Sequence, residues 1–131
     1  MYLIDTDILI YALKAQPKVL ERFAETGESP KAVSVVSYGE LLFGAMKSSR
    51  PRESLARARR VGELFPVVDV SRAIMEEFAA LKADLQSQGT PLDDFDLFIA
   101  ATALSLGYRL VTNNERHFRR VPGLQVENWA V

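Results

Sequence analysis

The chain has 131 residues, 48% hydrophobic and 25% charged, with 16 basic and 17 acidic side chains and a net charge of −1. This is the profile of a globular protein, and the length predicts one domain over residues 1–131. The absence of cysteine excludes disulfides, thiolate zinc sites and a cysteine nucleophile, and the single histidine, His117, excludes a multi-histidine metal site.

Any metal must therefore sit among oxygens, which favours Mg²⁺ or Mn²⁺. The N-terminus has no basic start, and Asp5 falls where the apolar part of a signal peptide would be. No run reaches the roughly 18 apolar residues of a membrane span. A cytoplasmic protein is expected, and the lack of cysteine suits a reducing compartment.

Residues 2–5 read as a buried strand that runs into Asp5-Thr6-Asp7. Residues 7–14 start a helix, Pro17 interrupts it, and helix resumes to about Ala24. Gly27, Ser29 and Pro30 mark a loop, and Ala32–Val36 a second strand. Ser37 opens a helix to about Lys47, closed by Ser48-Ser49-Arg50-Pro51. Glu53–Leu64 is an arginine-rich helix, and 65–68 a short third strand.

Ser71 caps an amphipathic helix whose stripe is Ile74, Phe78, Leu81 and Leu85, ended by Gly89 and Pro91. Phe95–Leu106 is helical, 109–112 is a fourth strand, 114–119 a turn or short helix, and 124–126 a last strand. Strands alternating with helices predict an α/β fold with a central parallel sheet and helices on both faces.

Four places set carboxylates or amides at element boundaries. Asp5 ends strand one, and Glu40 lies four residues after strand two. Asp96, preceded by Asp93 and Asp94, starts a helix, and Asn113 and Asn114 follow strand four. If strands one, two and four are neighbours, these groups converge on one rim, where ligands of open α/β sheets bind. Crowded carboxylates repel each other, and a divalent cation removes that cost. Such an ion can polarise a phosphodiester and activate water.

Each acid also has a structural role open to it. Ser37-Tyr38-Gly39-Glu40 fits a capping box, with Glu40 folded back onto the Ser37 N–H. Asp94 can cap a helix, and Asp96 suits the helix dipole. Asn113 and Asn114 are turn formers. Arg50, Arg52, Arg57, Arg59 and Arg60 read as a solvated face. Arg116, His117, Arg119 and Arg120 lie beside the proposed rim, where arginines can hold phosphates.

Five segments together resemble the VapC-type ribonuclease toxins of the PIN-domain family. They are Leu3–Asp7, Val33–Gly44, Asp96–Leu104, Leu110–Asn114 and Phe118–Leu124. The resemblance spans essentially the whole chain. It implies a three-layer α/β/α sandwich and Mg²⁺- or Mn²⁺-dependent endonuclease action on RNA. It also implies a VapB-like antitoxin partner, a homodimer, and kinship with the subgroup that cleaves initiator tRNA in its anticodon region.

Asp5, Glu40 and Asp96 match the family's acidic metal-binding, catalytic positions. Asn114 stands where many PIN domains carry a fourth acid, and Asp7 where Asn is common, and both are expected to support the site from outside the metal-binding positions. Thr6 and Thr112 are expected to support the carboxylates by hydrogen bonds. The alternatives are a PIN fold reduced to an RNA- or protein-binding module, and a receiver-type signalling domain with Asp69 as phosphoacceptor. A dehalogenase-type phosphatase using Asp5 and Asp7 is a further rival. The receiver and phosphatase folds want a late lysine, and the last one here, Lys82, is inside a helix.

Overall fold

The structure is a computed structural model that describes residues 1–131. Five parallel strands form one sheet: β1 (Tyr2–Ile4), β2 (Lys31–Ser34), β3 (Val67–Val68), β4 (Arg109–Val111) and β5 (Val126–Glu127), in spatial order β3-β2-β1-β4-β5. The helices are α1 (Thr6–Leu13), α2 (Pro17–Glu25), α3 (Val35–Met46), α4 (Pro51–Leu64), α5 (Arg72–Ser87), α6 (Asp94–Leu106) and α7 (Glu115–Phe118).

The strands are buried from both sides, and their alternation divides the core. Leu3, Ala32 and Leu110 face a cluster with Ile74, Leu81 and Leu85 of α5 and the apolar side of α6. Ile4, Val33 and Val111 face the opposite cluster, with Ile8, Leu9, Val19, Leu41, Ala58 and Val61 from α1 to α4. A parallel sheet covered on both faces is the three-layer sandwich that the resemblance implies.

The direction of strand addition reverses between β1 and β4. From β1 the sheet grows outward to β2 and β3, and the chain then returns through α5 and α6 to place β4 on the other side of β1. That reversal opens a crevice beyond the strands' carboxyl ends. Asp5 follows β1 there and Thr112 follows β4, in a register that pairs Ile4 with Val111. The crossover is sharply closed: α6 ends at Gly107, whose φ of 69° is left-handed, and Tyr108 N–H bonds back to the Ala103 carbonyl at 3.0 Å.

The last strand is tied down by side chains. Glu127 accepts from Arg22 at 3.0 Å, Arg109 at 2.9 Å and the Trp129 indole at 3.2 Å. Trp129 is fully buried, edge-on to Tyr2 and Phe23.

Several boundaries differ from the sequence reading. The second strand stops at Ser34, not Val36. The Ser34 hydroxyl accepts from Val36 N–H at 3.1 Å and so starts α3 at Val35, despite two β-branched residues. Ser37 therefore lies inside the first turn, buried, with a hydroxyl that has no hydrogen-bond partner. The capping box is not formed. Likewise Asp93, not Asp94, caps α6, accepting from Asp96 N–H at 2.9 Å. The arginine-rich helix begins at Pro51, which suits a first helical position. The last strand is 126–127 rather than 124–126.

The two serines give opposite expectations. Ser34→Ala removes a cap and lowers stability by about 1 kcal/mol. Ser37→Ala removes only an unpartnered buried hydroxyl and leaves stability unchanged or slightly raised. Urea denaturation of both variants checks this, and a larger loss at Ser37 would restore the capping-box reading.

Candidate functional site

Asp5 is the centre of the rim. It caps α1, with its Oδ1 accepting from Thr6 N–H at 2.8 Å. Its Oδ2 accepts from the Thr112 hydroxyl at 2.8 Å, a fully side-chain bond that joins the ends of β1 and β4. Only 8% of Asp5 is exposed. Burial, then the charge of Asp7 and more weakly that of Asp96, push its pKa up to about 7, against the two hydrogen bonds that lower it.

Thr6 faces away from this bond. Its hydroxyl donates to Glu40 Oε1 at 2.7 Å, linking α1 to α3. Glu40 thus turns toward the rim rather than back along its own helix. Asp96 enters from the first turn of α6. Its pKa is raised by burial and by Asp93, with Glu40 adding a smaller push and His117 opposing. Asp5 therefore senses Asp96, and Asp96 senses Glu40.

His117 and Asn114 buttress Asp96. The His117 Nδ1 lies 2.8 Å from the Asn114 amide nitrogen and 3.4 Å from Asp96 Oδ2. One ring nitrogen cannot accept from the amide and donate to the carboxylate together, so Nδ1–H donates to Asp96 when the Asn114 amide presents its oxygen to the ring. Asn114 N–H in turn donates to the Thr112 hydroxyl oxygen at 3.0 Å.

Asp7 has a different task. Its Oδ1 accepts from Ile8 N–H at 2.7 Å and its Oδ2 from Asn113 N–H at 3.0 Å, so it fastens the loop after β4 to α1. Burial raises its pKa, and those backbone bonds oppose the shift. Asp7 lies inside the first turn of α1, whose cap is Asp5, and so acts as a tie to the loop and not as the helix cap.

The basic clusters separate as well. Arg119 pairs with Glu115 at 2.8 Å, and Arg120 donates to the Pro91 carbonyl at 3.2 Å. Arg116 has no carboxylate partner. With Asn113, Asn114, Glu115 and Arg119 it lines a polar depression of about 500 Å³ beside the acids. In the other cluster, Arg50 and Arg60 make exposed pairs with Glu53 and Glu63. Arg52, Arg57 and Arg59 make none. Arg57 lines a cavity of about 360 Å³ between α1, α3 and α4 that Glu40 also reaches, a connection the sequence reading missed.

Asp69 follows the edge strand β3, two strands from β1, and Lys82 pairs with Asp94 at 2.9 Å. Neither joins Asp5, which removes the receiver reading.

The sequence profile described as PIN domain matches residues 2–124. The chain belongs to the PIN-domain family.

Among relatives of this PIN domain is the tRNA(fMet)-specific endonuclease VapC of Shigella flexneri, 37% identical over 130 residues that cover 98% of each chain. Another is Ribonuclease VapC2 of Haemophilus influenzae, 36% identical with the same coverage. Among solved structures, VapBC from Salmonella typhimurium bound to DNA aligns with a TM-score of 0.91 at 33% identity, covering 98% of this chain and 97% of that one. VapBC2 from Rickettsia felis, bound to a DNA fragment from its promoter, also gives 0.91, at 27% identity and 98% coverage of both. These matches agree with the VapC-type resemblance seen in the five segments.

Three acids supplied by three elements are a hard-oxygen donor set, and their mutual repulsion is what a divalent cation relieves. The fit is one of charge and donor chemistry. As placed, no group of three or more histidine, aspartate or glutamate side chains is gathered to hold a metal ion. Glu40 is turned to Thr6 and Asp96 to His117.

The raised Asp5 pKa has a stability consequence. Below the ordinary value of 3.8 the group is neutral whether folded or unfolded, and its burial costs nothing. As pH rises toward about 7, only the unfolded chain ionises freely, so the folded state loses stability. In chelator, Asp5→Asn should be more stable than the parent at pH 8, by on the order of 1–4 kcal/mol, with the gap closing at pH 4. Urea melts at the two pH values measure it. A variant less stable at pH 8 would show that the carboxylate's hydrogen bonds outweigh its burial cost.

Proposed function

We propose that the chain is a Mg²⁺- or Mn²⁺-dependent endoribonuclease, the toxin of a toxin–antitoxin pair with a VapB-like antitoxin as partner. The observation that carries this reading is the Asp5 carboxylate, held by Thr112 at the crevice between β1 and β4 within range of Asp96. The names of the relatives support the RNA substrate, and the VapBC complexes support the partner. The Shigella flexneri relative makes initiator tRNA the first substrate to test.

Asp5, Glu40 and Asp96 would hold the cation. When bound, it supplies positive charge that polarises the phosphodiester and lowers the pKa of water. The chain's own groups set the rest. Thr112 fixes the Asp5 carboxylate in plane, and Thr6 restrains Glu40. Asn114 and His117 limit the swing of Asp96. Arg116, with no carboxylate to neutralise it, is free to hold an RNA phosphate at the rim, with His117, Arg119 and Arg120 beside it. No side chain stands as an evident general base, so water activation rests on the site's charge.

Purified protein free of antitoxin should cut tRNA in Mg²⁺ or Mn²⁺ and stop in chelator. Glu40→Gln should abolish cleavage while shifting the thermal midpoint by only a few degrees. Thr112→Val should lower activity by about 10- to 100-fold, as losing a carboxylate's support does at metal sites. Independently of activity, Mn²⁺ should raise the melting temperature of the parent and not of Asp5→Asn. Intact tRNA and structured RNA under both metals, with no thermal shift, would sink the reading and leave a binding module.

A further inference from the structure

The chain has seven phenylalanines, and five of them are engaged in the fold. Phe23 meets Phe65 and Trp129, Phe78 stacks on Phe98 at 4.3 Å, and Phe118 is fully buried. The two left exposed are Phe43, at 62%, and Phe95, at 56%. The ring of Phe43 is covered by the Lys47 ammonium at 5.0 Å. Phe95 has neither a ring nor a cation against it.

Its place is specific. Phe95 directly precedes Asp96 in the first turn of α6. From Leu97 onward that helix is mostly buried, so this ring is the apolar group the helix leaves out at the acid rim. The backbone beneath it is rigid: Asp93 caps the helix, and Asp94 is tied to Lys82. A ring on a capped turn loses little freedom when something settles on it.

Asp96 itself is met by His117 at 3.4 Å, His117 by Asn114, and Asn114 lines one depression with Arg116. An exposed ring thus sits one residue from a carboxylate whose own contacts lead, through His117 and Asn114, to the depression that Arg116 lines. A stacking surface and a phosphate-holding cation near one acid site are what a single nucleotide strand needs. The carboxylates of Asp93, Asp94 and Asp96 flank the ring in the chain, so the contact it offers a nucleotide is with the base and not with the phosphate.

We propose that Phe95 is a nucleobase-stacking platform, which positions the nucleotide next to the phosphodiester to be cut. The proposal rests on the RNA-cleavage reading of the acid site. Stacking is indifferent to base identity in the first instance, because every base has a π face. Phe95 therefore sets where the strand lies, and orders the base that flanks the cut.

The test uses the full chain, free of antitoxin, on initiator tRNA and on single-stranded RNA carrying one abasic nucleotide at successive positions. Phe95→Ala should raise KM by about 5- to 100-fold with kcat changed little, and Phe95→Tyr or Phe95→Trp should restore it. An abasic nucleotide should weaken cleavage by the parent at one position and have no effect on Phe95→Ala. In the inactive Asp5→Asn background, Phe95→Trp adds an exposed indole to the single buried Trp129, and RNA should quench its fluorescence. If the parent cuts RNA and Phe95→Ala cuts it with unchanged KM, stacking is overturned and the nuclease reading stands. If Phe95→Ala loses affinity for the co-expressed antitoxin but not for RNA, the ring is a protein contact and the proposal fails. If the parent cuts no RNA in either metal, both readings fail together.

Discussion

A single hydroxyl-to-carboxylate bond, Thr112 to Asp5, holds the molecule's functional end together. It spans 107 positions of sequence and closes the crevice where the order of strands reverses. Burying an ionised carboxylate there is unfavourable, and the bond offsets only part of the cost. The surrounding polar groups are arranged around that conflict. Thr6 N–H caps the same carboxylate, and Asn114 N–H completes the Thr112 hydroxyl. Asp7 then pins the adjacent loop. The geometry is pre-paid by the sheet, since β1 and β4 pair in a register that brings residues 5 and 112 together.

The layered architecture and the position of Asp5 were legible because both rest on local signals. Short apolar runs alternating with helical stretches specify a parallel sheet, and an acid after the first strand falls at its carboxyl end. Glu40 was harder. Ser34 and Ser37 are three residues apart, and each can open a helix. Which one does so depends on where pairing with β3 ends, at Ser34 opposite Val68, and no window around Ser37 contains that information. The same limit applies to Asp93 and Asp94. A carboxylate bond from Thr6 was expected from the resemblance, but that its partner is Glu40, 34 residues away, is contained in no local window.

Charge shows the same division between composition and place. Arginines are most numerous on α4 and its cap, yet Arg50 and Arg60 merely answer neighbouring glutamates. Arg116, on a helix of four residues, is the arginine without an ion-pair partner that shares a depression with Asn114 beside the acids. A net charge of −1 does not oppose binding to nucleic acid when basic groups stand in clusters, one of them beside the acid rim.

The fifth strand carries a consequence for the order of events during synthesis. Thr112 gives its backbone N–H to the Glu127 carbonyl at 2.9 Å, and Trp129 fills the core beside it. The hydroxyl that steadies Asp5 is thus fixed by residues translated 15 or more positions later. A nascent chain that has emerged only as far as α7 already contains every acid of the rim. It lacks the strand that closes the open edge of β4 and holds the Thr112 backbone in place. The support of Asp5 is therefore completed only when the last few residues of the chain have joined the sheet.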